Sequence, residues 1–313
     1  MQALCERSHM AYTLEVSGGR SPGDPRRVNF NELAERLTVD SFRRAPTGLY
    51  SAVVGACART PVPRALRAPL YGAFARAVDA RVDEAAESLA HYPSFGDFFA
   101  RRLRDGARPI DPAPVIAPCD GVVAAAGSIL DGTLVQAKGR TYSVAELLTV
   151  PSLAAALGGG QFVTVYLSPR DYHRVHSPVD ATLCGYHYVP GARWPVSGPF
   201  TRHVDRLLAV NERLVIELAT EWGPAAVVMV AAAGVGNVWL SHLGGDTRTW
   251  RDSGEPRHVA RTPTPVEAGD ELGAFLLGST VVMLLPAGAP RLRAAHDGDV
   301  VRCGESMVEG GRP

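Results

Sequence analysis

Three residues that could together form a nucleophilic catalytic unit stand in separate segments of the chain. Asp120 lies in APCDGVV, His176 in DYHRVHSPV and Ser279 in AFLLGSTVVMLLP. A serine nucleophile needs a histidine that takes its proton and a carboxylate that orients that histidine. Their distances along the chain do not show whether the three converge, so at this point they form a hypothesis.

Ser279 follows Gly278 in the middle of the unbroken apolar run at residues 273–285. The run predicts a single buried strand, in which a glycine marks a bend or a close approach of the backbone. A buried serine hydroxyl costs free energy unless it is hydrogen-bonded. Two interpretations stand: a β-bulge with a hydrogen-bonded hydroxyl, or a Gly278–Ser279 peptide bond that is itself the reactive group.

His173 and His176 form an H-x-x-H pair in the segment SPRDYHRVHSPV. On one face of a helix this spacing would suit a metal ion, but the flanking prolines disfavour a helix and no third ligand stands nearby. We therefore expect no metal site here. A structural pair of histidines and an acid–base pair remain, and the imidazole pKa near neutrality suits the second.

The chain divides into three stretches of different composition. Residues 1–45 are polar and rich in arginine, which predicts a loose arm with one short helix near residues 29–37. Residues 46–105 are rich in alanine and mostly helical in pattern. From residue 106 to 313, short valine-rich runs separated by Gly, Pro and Asp predict a mainly antiparallel β domain. The predicted class is α+β, with a helical N-terminal region before the β-rich domain that holds the three candidate residues.

Composition excludes several classes of protein. The chain has 32 Lys+Arg and 32 Asp+Glu residues, so no basic excess indicates nucleic-acid binding. Its five cysteines form no C-x-x-C pair, which argues against a disulfide scaffold and a zinc–thiolate site. The uncharged stretch at residues 223–240 predicts two buried strands joined at GVGN, since its glycines, proline and valines disfavour a membrane-spanning helix. The first residues lack a long apolar stretch after a basic start, so we expect no secretory signal.

A set of motifs, in its order and spacing, resembles the phosphatidylserine decarboxylases, which are pyruvoyl-dependent enzymes that make phosphatidylethanolamine. The motifs are FFARRLRDGARPID (98–111), APCDG (117–121), QAKGRTYSVAELL (136–148), DYHRVHSPV (171–179), NER (211–213), EWGPAAVVMVAAAGVGNV (221–238) and ELGAFLLGSTVV (271–282). Each motif alone is weak, but the ordered set is specific. The resemblance therefore predicts what the residues of this chain do.

Carried over position by position, the resemblance makes Ser279 the serine that cleaves the chain at Gly278–Ser279, with Asp120 and His176 as its partners. His173 becomes a second active-site histidine that touches substrate and is a candidate general acid. Cleavage would leave a large fragment ending at Gly278 and a small fragment 279–313. Ser279 would become a covalent pyruvoyl group, which is the cofactor that the resemblance implies, and no metal would be needed.

The resemblance also implies partners and a location. The substrate would be phosphatidylserine, a phospholipid, which is converted to phosphatidylethanolamine and CO2. The two fragments would stay together as a heterodimer that could pair with a second copy. The enzyme would act peripherally at an anionic membrane surface, on the cytoplasmic side of a bacterial cell membrane, and no nucleic acid is expected as a partner.

Departures from the family pattern keep other functions open. Cys119 stands where the family usually has alanine, Ala181 where glycine is common, and PVSGPF (195–200) where Val-Asn-Pro usually occurs. The last departure lies where substrate contacts are expected, so a pyruvoyl-dependent decarboxylase of a soluble amino acid is an alternative. A serine hydrolase that does not cleave itself is a further alternative, although Ser279 does not stand in a G-x-S-x-G elbow. A β-rich binding module that has lost the chemistry is the third.

The segment from Ser41 to Val78 combines positive charge with apolar residues. It carries arginines at 43, 44, 59, 64, 67 and 76 and no acidic residue, and Leu66, Leu70, Phe74 and Val78 form one stripe of a helix. Basic residues beside an apolar face suit a helix that lies in a lipid interface. The segment therefore predicts membrane docking. The competing interpretation is that the stripe packs on the β domain and the arginines are only solvated.

Overall fold

The computed structural model describes residues 30–44, 47–135, 140–196, 198–233, 237–251, 253–276 and 279–309. The helices in these ranges are α1 (Phe30–Arg44), α2 (Thr47–Arg59), α3 (Arg64–Val78), α4 (Phe95–Phe99), α5 (Val144–Leu148), α6 (Pro151–Ala156), α7 (Pro199–His203), α8 (Leu207–Val210) and α9 (Arg248–Arg251). The strands are β1 (Gly121–Ser128), β2 (Thr133–Val135), β3 (Thr141–Ser143), β4 (Gln161–Leu167), β5 (Arg174–His176), β6 (Ala181–Val189), β7 (Arg213–Thr220), β8 (Gly223–Ala231), β9 (Val238–Leu240), β10 (Gly245–Asp246), β11 (Arg257–Val266), β12 (Glu271–Phe275), β13 (Ser279–Leu285) and β14 (Val300–Val301).

An eight-stranded sheet forms the centre of the molecule, with strand order β11-β6-β7-β8-β13-β4-β1-β14. A four-stranded sheet has the order β10-β9-β12-β5, and β2 and β3 form a separate hairpin. The strand pairs are antiparallel throughout these sheets. The α+β class and the mainly antiparallel pairing predicted from the sequence are therefore confirmed.

The central strands are apolar because both of their faces are covered. All seven residues of β13 are buried, and the strand lies between β4 and β8. Seven of the nine residues of β8 are buried as well. The uncharged stretch that approaches the length of a membrane span therefore forms the strands β8 and β9, as predicted, while residues 234–236 of its turn lie outside the described residues.

The apolar run at residues 273–285 does not form one strand, so this part of the prediction is wrong. Its first residues belong to β12 in the four-stranded sheet, whereas β13 belongs to the eight-stranded sheet. Both strands are almost entirely buried, which explains why the sequence shows no change of texture where the chain passes between sheets. Ser279 is consequently the first residue of β13 rather than the middle of a longer strand, and Gly278 lies outside the described residues.

Helix α1 is longer than the short helix predicted for this segment, and it packs on the β-rich part. The Phe42 ring lies 5.5 Å from that of Trp194 and 5.2 Å from that of Phe200, centroid to centroid. The Glu35 carboxylate accepts hydrogen bonds from the Arg202 guanidinium. The described part of the predicted arm is therefore docked, and residues 1–29 lie outside the described residues.

Helix α3 buries only part of the predicted stripe, since Phe74 packs on the cluster that holds Tyr71 and Ala75. Tyr71 and Ala75 are buried in a small cluster with Tyr92 and Phe98, separate from the main core. Leu66 and Leu70 of α3 are 57% and 50% exposed. In the part of the chain that the structure describes, no helix is both long enough and apolar enough to cross a membrane.

Candidate active site

Ser279 begins a central strand with its side chain enclosed. It is paired with Leu167 of β4 on one side and with Ala231 of β8 on the other. The residue is 1% exposed, and its Oγ has no hydrogen-bond partner among the residues that the structure describes. An unpaired buried hydroxyl is uncommon because it loses its bonds to water without replacement. This hydroxyl is therefore free to react with a neighbouring group.

Asp120 lies directly before β1 and is held by two donors. The Arg108 Nε donates to its carboxylate oxygens at 2.8 and 3.1 Å, and the backbone N–H of Cys303 donates at 2.9 Å. Arg108 also donates to Glu84 at 2.9 Å. Burial disfavours the charged guanidinium, but the bonds to Asp120 and Glu84 outweigh it and raise the pKa of Arg108. Asp120 is thereby fixed in position next to a permanent positive charge.

His176, in β5, has a partner at each ring nitrogen. Its Nδ1 lies 2.7 Å from the carbonyl oxygen of Gly269, and its Nε2 lies 3.0 Å from the Tyr172 hydroxyl. Because a carbonyl only accepts, Nδ1 carries the proton and Nε2 accepts from Tyr172. Burial lowers the pKa of His176, and the charge of Asp120 acts in the opposite direction. The resting ring is neutral and its basic nitrogen is occupied by Tyr172.

His173 is fully buried and has one unpaired ring nitrogen. Its Nδ1 lies 2.9 Å from the carbonyl oxygen of Asp171, so this nitrogen is the donor, and Nε2 has no partner. The ring centroid lies 4.1 Å from that of Phe99. Burial, helped by the charge of Arg101, lowers the pKa of His173 to about 3. His173 therefore presents a neutral ring with a free basic nitrogen.

The sequence-predicted residues are brought to one region without direct hydrogen bonds between them. Asp120 and His176 interact electrostatically. His173 accepts, at its carbonyl oxygen, a 2.9 Å hydrogen bond from the backbone of Phe275 at the end of β12, four residues before Ser279. Among the described residues no hydrogen bond joins Asp120, His176 and Ser279 to one another. Their roles as a triad stay a prediction.

The sequence pattern does not predict a role for Arg101, Arg108 or Tyr172. Asp120 and all three of these residues line a cavity of about 260 Å³. The available signal was their position inside the motifs FFARRLRDGARPID and DYHRVHSPV. The described residues contain no group of three or more His, Cys, Asp or Glu side chains placed to hold a metal ion.

Comparisons with known proteins identify related sequences. The family model for phosphatidylserine decarboxylase matches residues 95–309. A phosphatidylserine decarboxylase proenzyme from Anaeromyxobacter sp. (strain K) is 44% identical over 280 residues, which cover 88% of this chain and 99% of that protein. Proteins of the same name from Myxococcus xanthus (strain DK1622) and Pseudomonas aeruginosa (strain LESB58) are 42% and 41% identical, over 76% and 88% of this chain and 85% and 97% of their own lengths.

Proposed function

The chain belongs to the phosphatidylserine decarboxylase family, and on that premise we propose that it converts phosphatidylserine to phosphatidylethanolamine and CO2 after cleaving its own backbone between Gly278 and Ser279. The observation that carries the proposal is the Ser279 hydroxyl, which is buried at the start of a central strand and finds no hydrogen-bond partner in the described part of the chain. Such a group costs about 1–3 kcal/mol, and a hydroxyl held ready for reaction accounts for that cost.

In the proposed self-cleavage, Ser279 Oγ attacks the carbonyl carbon of Gly278 while His176 takes the hydroxyl proton. The Gly269 carbonyl holds Nδ1 of His176, and the charge of Asp120 favours the protonated ring that results. The amide bond between the two residues breaks, its nitrogen gains a proton, and an ester forms. Loss of the Ser279 α-proton then expels the Gly278 carboxylate and leaves dehydroalanine. Water converts this residue to a pyruvoyl group and releases ammonia. Because Tyr172 occupies His176 Nε2, this hydrogen bond must open before His176 acts.

The surroundings of Ser279 fit the pyruvoyl group that the family implies. Conversion replaces an unpaired hydroxyl by a methyl group, which suits a position enclosed between β4 and β8. When present, the pyruvoyl ketone accepts the electron pair that the departing CO2 leaves behind. The protein contributes the enclosure of that position from water.

We assign His173 to the second reaction rather than to self-cleavage. Its pKa of about 3 keeps the resting ring neutral, and its Nε2 has no partner. A neutral histidine must take a proton before it can give one. In the proposed cycle His173 takes a proton from the α-ammonium group of the substrate and returns it to the α-carbon once CO2 has left. The product amine then leaves neutral, and His173 acts as the general acid only in the second half of the cycle.

Exposed residues of α2 and α3 support peripheral docking on an anionic membrane. Leu66, Leu70 and Val53 are half or more exposed, at 57%, 50% and 53%. Arginines 43, 44, 59, 64 and 76 are exposed in the same segment, which lacks acidic residues. Arg67 differs, since its guanidinium donates to backbone carbonyls. Apolar burial in the interface and attraction to anionic lipid would act together here.

After cleavage the two fragments would remain one particle. The described part of the small fragment, residues 279–309, supplies β13 and β14 to the eight-stranded sheet. Separation of the fragments would remove a strand that is paired on both sides, and expose its buried residues. We therefore propose that the working unit is a heterodimer of both fragments.

The proposal is tested by intact mass spectrometry of the purified protein and by CO2 release from phosphatidylserine vesicles. We expect two fragments, the smaller beginning with a pyruvoyl group at position 279, whereas Ser279→Ala stays whole and inactive. Ser306→Ala is the matched control, because Ser306 also has a hydroxyl without a partner but lies outside the proposed chemistry; it should be processed and active.

The outcomes separate the alternatives. Cleaved protein that releases CO2 from a free amino acid and not from phosphatidylserine would support the soluble-substrate alternative. A single uncleaved chain with decarboxylase activity would contradict the proposed mechanism, and a single chain that hydrolyses esters would point to the hydrolase.

A further inference from the structure

The cavity next to Asp120 is unusually rich in guanidinium groups. Its lining includes five arginines and four carboxylates. The arginines are Arg81, Arg101, Arg108, Arg170 and Arg302. Exposed residues such as Arg81 and Arg302 form the rim, whereas Arg101 and Asp120 lie at the buried end. The cavity thus leads from solvent to a buried positive charge.

Most of the cavity's charges compensate one another. Arg108 bonds to both Asp120 and Glu84, and Arg81 contacts Glu84 at 3.2 Å. Arg170 lies 3.8 Å from the carboxylate of Asp171. Three of the four carboxylates are therefore already engaged by other arginines.

Arg101 is different, since among the described residues no carboxylate lies within ion-pair distance of it. It is 3% exposed, its Nε has no hydrogen-bond partner, and its Nη2 donates only to the carbonyl oxygen of Arg170, at 3.3 Å. The guanidinium carbon lies 5.5 Å from the centroid of the Phe98 ring, which does not neutralise the charge. The charges of Asp120, Glu84 and Asp171 act on Arg101 only from beyond ion-pair distance. Burying a cation without a directly paired carboxylate is costly, so this arrangement fits a site that an anion completes.

Arg101 also adjoins the candidate active site. Phe99, two residues before Arg101, lies against the ring of His173, and the charge of Arg101 is close enough to act on that ring. An anion bound at Arg101 would place the rest of its molecule near His173.

We propose that Arg101, with the arginines around the cavity, binds the phosphate oxyanion of the substrate headgroup. The assignment rests on the proposed function for the identity of the ligand. A planar guanidinium fits two phosphate oxygens at once. The substrate carboxylate is a poorer ligand for this site, because it loses its charge as CO2 leaves and a strong ion pair would stabilise the ground state more than the transition state. The phosphodiester keeps its charge throughout the reaction.

The test measures binding of glycerophosphoethanolamine to the processed protein by titration calorimetry. This probe carries the phosphodiester but no carboxylate, so it binds without turnover. Ethanolamine and inorganic phosphate serve as comparison probes. We expect glycerophosphoethanolamine to bind more tightly than either, and Arg101→Gln to weaken its binding by roughly tenfold or more, the loss of a charge-assisted pair.

Two further variants keep the test decisive. Arg101→Lys retains the charge but loses the planar fork, and should bind with intermediate affinity. Arg104→Gln, an exposed arginine of the same segment outside the cavity lining, should bind like the unmodified protein. Melting temperature and processing at Ser279 are measured for each variant, so that a folding defect is recognised; if Arg101→Gln does not fold, the comparison between Arg101→Lys and Arg104→Gln decides.

Kinetics on phosphatidylserine vesicles separate this inference from the proposed function. We expect Arg101→Gln to raise KM more than it lowers kcat. Unchanged probe binding and unchanged KM in Arg101→Gln would overturn the inference while decarboxylation by the unmodified protein stands. Equal affinity for inorganic phosphate and glycerophosphoethanolamine would overturn the headgroup assignment. Binding that depends on Arg101 in a protein without decarboxylase activity would refute the proposed function instead.

Discussion

The sheet around Ser279 and the helices α2 and α3 place their apolar and polar groups in opposite ways. All seven residues of β13 are buried, and one of the two hydroxyls among them, Ser279 Oγ, has no hydrogen-bond partner among the described residues. On α3, in contrast, Leu66 and Leu70 are at least half exposed beside arginines that face solvent. One region has a polar group where apolar contacts are expected, and the other has apolar groups where solvent contacts are expected.

Both exceptions carry a cost in the isolated protein, and each fits a different part of the proposed function. The unpaired hydroxyl fits a reaction inside the protein, whereas the exposed leucines fit a surface that is covered by lipid. The difference implies that processing and access to lipid are separable. Substitutions in the sheet should alter cleavage, and substitutions on the helices should alter only the reaction on vesicles.

The strongest test of this separation removes the proposed base, His176, or the charge of its proposed partner, Asp120. Asp120→Asn and His176→Ala should slow processing by a factor of about 100 or more, because general base catalysis contributes that much. Intact mass spectrometry over time measures the cleaved fraction. The matched control is His91→Ala, an exposed histidine near the helices, which should be processed normally. Normal cleavage in both Asp120→Asn and His176→Ala would contradict their assignment.

His173→Ala should separate the two reactions within the sheet region. We expect processing to continue, at least in part. Decarboxylation should fall by about 100-fold, because the imidazole that returns a proton to the substrate carbon is removed. Mass spectrometry and CO2 release on the same sample measure both. If His173→Ala blocks cleavage while His176→Ala cleaves normally, the free Nε2 of His173 is the base and the two roles are reversed.

The buried histidine also makes stability depend on pH. The pKa of His173 is lowered from 6.5 to about 3, so as the pH falls below 6.5 the unfolded chain binds a proton that the folded chain does not. The free energy of unfolding should therefore fall by about 2 kcal/mol between pH 6.5 and 5 from this residue alone. Urea unfolding of Ser279→Ala, a single chain, measures it. Adding His173→Gln should flatten this slope, and an unchanged slope would show that the ring is not buried in the neutral form.

The smallest expected effect concerns the helices. Replacing Leu66 and Leu70 by glutamine should weaken binding to anionic vesicles roughly tenfold, because partial burial of two leucines in lipid is lost. Co-sedimentation with phosphatidylglycerol-containing vesicles measures it, and added salt should weaken binding further. Leu130→Gln, at another leucine that is 66% exposed, is the control. Processing should be unchanged throughout; reduced processing or salt-insensitive binding would contradict the separation.

The sequence predicted those features that depend on local pattern. The valine-rich runs gave the strands correctly, including β7 over RLVIELAT, because alternating or continuous apolar residues reflect burial directly. The family predicted from ordered motifs is confirmed by the match over residues 95–309. The catalytic roles of Asp120, His176 and Ser279 stay predictions.

What the sequence could not predict depends on contacts between distant residues. The change of sheet between β12 and β13 does not alter the apolar texture of the sequence, because both strands are buried. Gly278 predicts a bend or a close approach, but not that the chain passes to another sheet. The pairing of Arg108 with Asp120 and the occupation of His176 Nε2 by Tyr172 follow from the folded arrangement of several segments. The two interpretations of the α3 stripe could not be separated from the sequence, because the packing of Tyr71 and Ala75 on α4 and its neighbours does not follow from the helix pattern.

The position of β13 between β4 and β8 has a consequence for how long each protein molecule stays active. A diffusible cofactor that is damaged can leave and be replaced, but the proposed pyruvoyl ketone, built from the first residue of a central strand, would be present once per molecule. Each polypeptide would thus form its cofactor once, from its own residue after synthesis, and would need no external source. Chemical loss of that ketone would inactivate the protein irreversibly. The total decarboxylase activity of the cell would then depend on how fast new chains are synthesised.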